Sequence, residues 1–387
     1  MKVLKILHTA DWHLGKLVHG IHMTEDQTKV LDQIMELIIR KEPDVLIIAG
    51  DLYDRSVPPR EAVELLNQVF TRICTEIGIP VLAISGNHDS PDRLGFGASL
   101  FRSRQLYLHT SLEQAFIPVT LEDKDGPINF HLIPYFEPAQ VREYFQEEEI
   151  QTHHQAMEKV IDTIRDSMDP DERHIIVAHT FAAGGMESDS EERLTMIGGS
   201  PYVDASLFID FDYTALGHLH RPQKIMKDTI RYSGSIMKYS FSEANHQKSV
   251  TMVNMNASGS CEIDQIPLTP DRDMKSVKGY FQEIMEEKVI SRTEDYLQVE
   301  LLDDGQILDP VSKLRTLFPN ILRLERKQYL LGLSIKDREK IQKKQEMNHE
   351  QLFQAFYKQI KQEELPDDRS NYIHEVITSL MKEEREK

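Results

Sequence analysis

Cysteine is nearly absent from this chain. Cys74 and Cys261 are the only two in 387 residues. That is too few for a disulfide framework or zinc-finger spacing, and it fits a reducing cytosol. Basic charge is also short: 45 Lys and Arg stand against 64 Asp and Glu, for a net charge of -19. That argues against a broad basic field for gripping nucleic acid. An enzyme acting on nucleic acid is not excluded, because metal-ligating carboxylates count as negative until cations bind, and a partner chain can supply the basic surface. No apolar run approaches the ~20 residues needed to cross a bilayer. The N-terminal apolar run meets Asp11 too early for a signal peptide. A cytoplasmic protein without membrane attachment is expected. The Gly-x-x-x-x-Gly-Lys-Ser/Thr phosphate loop is missing, so the chain should not hydrolyse ATP itself.

What is present reads as alternating strand and helix. Residues 3–10, 44–49 and 80–85 are apolar runs of strand length. Between them, residues 25–41 and the stretch from Pro59 to Cys74 repeat apolar positions with helical period. Thr24 and Gln27 have the spacing of a capping box. Such βαβ order predicts an α/β fold with a parallel sheet core. Further strands are expected at 129–134, 175–178, 212–216, 229–233 and 249–255, a helix at 150–168, and a less regular stretch over 91–125. A Gly-, Ser- and Asp-rich segment at 181–205 reads as a functional loop, and 267–273 as a linker. Beyond it, 276–288 and 310–318 are expected to be helical, 296–302 and 321–332 to be strands. Length alone argues for more than one domain: 1–268 as the main one, 269–335 as a small α/β capping unit, and 336–387 as a charged helical tail. The tail carries two apolar stripes, Leu352 to Ile360 and Tyr372 to Met381.

The informative residues sit where strands stop. Five strand ends deliver Asp11-x-His13, Gly50-Asp51-x-x-Asp54, Gly86-Asn87-His88-Asp89, His179 and Gly217-His218-x-His220. Polar residues at the C-terminal ends of strands are how open α/β sheets build sites. Imidazole, carboxylate and amide oxygen without thiolate suit Mn²⁺ or Fe, with Mg²⁺ and Zn²⁺ as alternatives. The donors are too many for one ion. Asp51 is the natural bridge between two, with Asp11, His13 and His220 completing one ion and Asn87, His179 and His218 the other. Such a pair suits phosphoryl transfer. Phosphodiester hydrolysis also needs a proton for the leaving oxygen. His88 is assigned as its donor, with Asp89 behind it to orient and charge the imidazole. Lys16, His19, His22, Arg55 and Arg93 follow the motifs and are candidates for backbone contact with DNA.

This ordered set resembles the calcineurin-like metallophosphoesterase family. A narrower likeness is carried by Gly50 to Pro59, by Gly184 to Glu191, by Ala215 to Gln223, and by Arg272 to Gly279. These segments resemble the bacterial SbcD nuclease subunits over about residues 1–335. The resemblance implies a metallophosphoesterase β-sandwich core with flanking helices, a capping domain and a C-terminal helical tail. It implies a Mn²⁺-dependent DNA exonuclease and endonuclease that works on double-strand ends and hairpins in DNA repair and recombination. It also implies a homodimer that joins an SbcC-type ATPase in a heterotetramer, the partner's coiled coil docking on the C-terminal helices. Eukaryotic relatives often carry histidine where this chain has Asp54, so Asp54 is read as auxiliary. The helices near 59–74 and 92–104 are offered as the dimer contact. Two other readings remain: a phosphoesterase for small substrates, and a non-catalytic scaffold of the same fold.

Overall fold

The computed structural model describes residues 3–191, 202–305 and 307–326, with scattered positions beyond. In chain order the strands are β1 (Leu4–Thr9), β2 (Leu17–Val18), β3 (Ile21–His22), β4 (Val45–Ala49), β5 (Val81–Ile84), β6 (Leu106–His109), β7 (Val119–Asp123), β8 (Gly126–Ile133), β9 (Arg173–His179), β10 (Tyr213–Gly217), β11 (Gln223–Ile225), β12 (Lys227–Tyr232), β13 (Ser249–Met255), β14 (Cys261–Pro267), β15 (Met274–Gly279), β16 (Tyr296–Leu301) and β17 (Ile321–Arg326). The helices are α1 (Thr24–Lys41), α2 (Arg60–Thr71), α3 (Pro91–Leu94), α4 (Ala98–Phe101), α5 (Pro138–Phe145), α6 (His153–Arg165), α7 (Phe281–Met285) and α8 (Pro310–Leu314).

Two six-stranded sheets carry the main unit, ordered β14-β13-β1-β4-β5-β6 and β11-β12-β10-β9-β8-β7. Strands β1, β4, β5 and β6 run parallel, as do β8, β9, β10 and β12. Side chains alternate across each strand. Ile6, Ile47, Leu82 and Ile84 of one sheet meet Phe130, Ile175, Val177 and Tyr213 of the other in a shared layer. Their neighbours Leu7, Leu46, Ile48 and Ala83 face the opposite way, against α1 and α2. Ile133, Ile176 and Leu216 do the same against α5 and α6. Both faces of the central strands are thus apolar, which is why those strands read as continuous apolar runs. Each fully buried Ile or Leu contributes about 1.5–3 kcal/mol before chain entropy is counted. The result is a β-sandwich flanked by helices.

A third sheet, β15-β16-β17, has its own core of Val277, Leu297, Val299, Leu314 and Phe318. It belongs to the same compact unit as the sandwich, which spans Met1–Leu302 and Ile307–Glu325. A second unit takes in Asp303–Gln306 and Arg326–Lys387 and has only scattered described residues. The apolar stripes expected at 352–360 and 372–381, and with them the proposed tail at 336–387, lie outside the described residues apart from isolated positions. So does the strand expected past residue 326.

Four local expectations are corrected. Residues 274–279 pair in parallel with β16 and are a strand; helix begins only at Phe281. The helical period read over 276–288 comes from Phe281, Ile284 and Met285, and long-range pairing overrides it upstream. The stretch 91–125 is regular after all, holding α3, α4, β6 and β7. The segment at 267–273 is docked rather than loose: Arg272 Nε donates to Asp26 Oδ1 at 2.8 Å, beside a Tyr296 hydroxyl bond to Asp26 Oδ2 at 2.7 Å. Finally, Met23 caps α1 without a side-chain bond. Gln27 points inward instead, donating to the carbonyls of Trp12 and His13 and accepting from Gly15 N.

Candidate metal centre

The parallel strands of both sheets end on one side, so their following turns converge. Two of these turns are zipped together by main-chain bonds: Asp11 N donates to Gly50 O (3.1 Å), His13 N to Asp51 O (2.9 Å) and Leu14 N to Leu52 O (2.9 Å). Asp11, His13, Asp51 and His218 all hold positive φ, at 52°, 45°, 51° and 106°. Such backbone costs about 1–3 kcal/mol per residue and persists only where the surroundings over-determine it. Here the strain falls on the very residues that offer metal-type donors. Glycine makes the close approach feasible. At Gly50, with φ +89°, a Cβ would lie 2.3 Å from His179 Nδ1, and at Gly86 it would lie 2.1 Å from Asp51 Oδ1.

The seven expected donors are brought together. His179 donates from Nδ1 to Ala49 O (2.8 Å), which turns Nε2 toward Asn87 Oδ1 (3.0 Å) and Asp51 Oδ2 (3.2 Å). His218 Nδ1 lies 3.2 Å from the same Asn87 oxygen. On the other side, His13 Nε2 lies 3.0 Å from His220 Nε2 and 3.5 Å from Asp51 Oδ2. Donor atoms of Asp11, His13 and His220 fall within 4.8 Å of one another, as do those of Asp11, Asp51 and His179. Asp11 belongs to both groups, and Asp51 Oδ2 lies between His179 on one side and His13 on the other.

The cluster has the electrostatics of a cation site. The Asp11 Oδ2 atom is buried with no hydrogen-bond partner. Burial pushes its carboxyl up to about 6 against the pull of His179 and His220. Burial alone would also raise Asp51, but His179 and His13 beside it outweigh that and hold it well below the usual carboxylate range. Burial drives His13 down to about 3 and His218 well below its ordinary value, so both rings are neutral and able to ligate. Carboxylates and neutral imidazoles without thiolate fit divalent cations.

His88 sits at the rim. Its N–H donates to Asp51 Oδ1 (3.0 Å), and its Nδ1 faces the Asp54 carbonyl at 2.9 Å. Its ring meets that of His13 edge-on, with centroids 4.7 Å apart. Asp89 does not stand behind His88 as expected. Its carboxylate accepts from the main-chain N–H groups of Leu52 (3.1 Å), Tyr53 (2.9 Å) and Gly86 (2.9 Å), pinning the second turn to the third. A carboxylate facing several amide donors from a turn is well satisfied there and has no reason to reach a neighbouring ring. Asp54 pairs with Lys16 Nζ at 2.7 Å and lies 3.5 Å from His13 Nδ1. Lys16 is therefore neutralised within the site, which weakens the reading of it as a DNA contact. His19, His22, Arg55 and Arg93 are exposed. A groove of about 620 Å³ bordered by Asn87, Tyr135 and Tyr144 opens beside the cluster.

Sequence reasoning missed the residues behind His220. Glu191 Oε1 accepts from His220 N (2.7 Å), and Ser190 Oγ lies 2.8 Å from His220 Nδ1. Glu243 and Lys248 back them from a different part of the chain. The signal for the first two was the acidic loop already singled out as functional; nothing local marked Glu243 or Lys248.

Comparison with known proteins places two families on the chain. Calcineurin-like phosphoesterase matches residues 4–222. The type 5 capsule protein repressor C-terminal domain, of the SbcD C-terminal family, matches residues 270–361. Similar solved structures include TT1561 of Thermus thermophilus and a dimetal phosphatase from Danio rerio. The first has 12% identity over 68% of this chain and 99% of that one, with a TM-score of 0.40. The second has 12% identity over 70% of this chain and 100% of that one, with a TM-score of 0.42.

Proposed function

The chain belongs to the calcineurin-like phosphoesterase family, and from that premise we propose that it is a Mn²⁺-dependent DNA nuclease of the SbcD type. The observation that carries the chemistry is the convergence of two donor groups on Asp51 at one end of the sandwich. Asp11, His13 and His220 would hold one ion, Asn87, His179 and His218 the other, with Asp51 shared. Two divalent cations, when bound, supply a water of lowered pKa and offset the charge of the phosphodiester. His88 then delivers the proton to the leaving oxygen from Nε2, since its Nδ1 is turned to the Asp54 carbonyl. Asp54 holds His13 and Lys16 in place, and Asp89 keeps the Gly86 turn against the Asp51 turn.

The choice of DNA rests on the match over residues 270–361 and on the third sheet it begins in, which a small-ester hydrolase does not need. Double-strand ends and hairpins are the proposed substrates, with the exposed Arg55, Arg93, His19 and His22 proposed for the backbone. A Mn²⁺-dependent assay should show cleavage of hairpin and linear duplex DNA, increased by an SbcC-type ATPase partner. Turnover confined to nitrophenyl phosphates, with DNA left intact, would replace this reading with that of a small-substrate phosphoesterase.

A homodimer is part of the same proposal. Phe96 is 83% exposed and Leu100 74%, and Val57 and Val63, just before and within α2, are exposed as well. A groove of about 430 Å³ lies between α2 and the α3–α4 segment, lined by Val63, Leu66, Phe70, Phe96 and Phe101. Exposed apolar surface of this kind marks an interface. Leu65, by contrast, is buried and belongs to the core. Phe96→Asp should therefore give a folded monomer in solution scattering; a dimer of unchanged size would remove this face from consideration.

A further inference from the structure

A fully buried Lys–Glu ion pair lies directly behind one of the candidate ligands. Glu243 is 0% exposed and Lys248 3%. Lys248 Nζ pairs with Glu243 Oε2 and donates to the His220 carbonyl and to Ser235 Oγ, both at 2.7 Å. The other carboxylate oxygen, Glu243 Oε1, accepts from Ser190 Oγ at 2.5 Å and from Tyr239 N at 3.2 Å. Ser190 Oγ is also 2.8 Å from His220 Nδ1. Burying two charges is costly, and an apolar pair of similar volume is often equally stable. This pair therefore calls for a reason beyond stability.

Proton bookkeeping supplies one. Lys248 Nζ is paired with Glu243 Oε2, so Glu243 stands as a carboxylate and only accepts. The single Ser190 hydroxyl proton goes to it. Ser190 Oγ must then accept from His220, and the proton on His220 is at Nδ1. The lone pair is left on Nε2, which faces His13 Nε2 at 3.0 Å. Two ring nitrogens at that separation, with His220 unable to donate, are poised around a shared electrophile. Glu191 Oε1 fixes the main chain of His220 from the other side at 2.7 Å.

We propose that Ser190, Glu243 and Lys248 are positioning residues for metal binding, a relay that locks His220 as its Nδ1–H tautomer with Nε2 aimed into the cluster. The relay joins a surface loop to one ion position and leaves the Asn87–His179–His218 position alone. It rests on the two-ion reading above. Partners of this kind are worth about 10–100-fold in metal affinity.

Calorimetric titration of the full chain with Mn²⁺ tests it. Wild type should take two ions. Ser190→Ala and Glu243→Gln should each weaken one position by about 10–100-fold and leave the other unchanged. Ser190→Thr, which keeps the hydroxyl, should restore wild-type binding. In metal-free protein labelled with ¹⁵N-histidine, the His220 Nδ1 resonance should be of the protonated type in wild type and lose that character in Ser190→Ala. Ser190 lies on a half-buried loop, so Ser190→Ala should fold even if Glu243→Gln does not. Wild-type affinity at both positions in Ser190→Ala overturns the relay while leaving two-ion binding intact. Equal weakening of both positions overturns it too, as general loosening. Wild type taking fewer than two ions overturns the two-ion reading itself.

Discussion

Replacing His88 with alanine is expected to leave both ions bound and to lower DNA hydrolysis by about 10²–10⁴-fold, the usual weight of a positioned proton donor. The side chain stands where such a donor must. It is at the rim rather than among the seven donors, held by its own main-chain bond to Asp51 Oδ1 and by the Asp54 carbonyl. Its ring atoms nevertheless come within 4.8 Å of donor atoms of His13 and Asp51, close enough to serve as a ligand. Two measurements separate the roles. Metal content per chain should match wild type. Hydrolysis of a nitrophenyl ester, whose leaving group departs without a proton, should fall far less than hydrolysis of DNA. Parallel loss of metal and of both activities would make His88 a ligand.

The second large effect concerns Asp51. At a free ion concentration of about 1,000 Kd, each bound Mn²⁺ should add about 4 kcal/mol to folding stability. Asp51→Asn removes the carboxylate shared by both donor groups while keeping the shape, so the metal-induced rise in melting temperature should vanish. A rise of wild-type size would exclude Asp51 as the bridge. The same melts carry a pH signature. Burial alone would lower His179, but the Asp51 carboxylate outweighs it and pushes the imidazole up to about 9 in the metal-free protein. A base raised in the folded state contributes stability fully below its ordinary 6.5 and loses it as pH rises through about 9. Mn²⁺ must displace that proton, so the metal-induced stabilisation of wild type should grow between pH 6.5 and 9. In Asp51→Asn this growth should be absent.

The core strands were legible because they are apolar on both faces and stop at polar residues. Period and composition are local properties, and Val45–Ala49 and Val81–Ile84 carry both. The convergence of the candidate donors was legible for a related reason: ligand chemistry dictates residue type, and parallel strands must end on the same side. Among the described residues, those seven side chains do meet. The lack of a bilayer-length apolar run was legible in the same way, and among the described residues no helix is long and apolar enough to cross a bilayer.

Partnership was not legible, because it depends on which atoms of distant segments come to lie within 3 Å. Asp89 looked like the companion of His88 through adjacency in the chain, yet its carboxylate is taken by Leu52, Tyr53 and Gly86. Gln27 looked like a helix cap through spacing, yet it holds the first metal turn from inside. Lys16 looked like a phosphate contact through its charge, yet Asp54 neutralises it. The ion pair behind His220 joins residues 243 and 248 to 190 and 220 with no periodicity to announce it. By itself the sequence determined which side chains could bind metal, because that is a matter of atom type. The tertiary structure alone decided what holds each of them, because hydrogen bonds are settled by distance and direction across the fold.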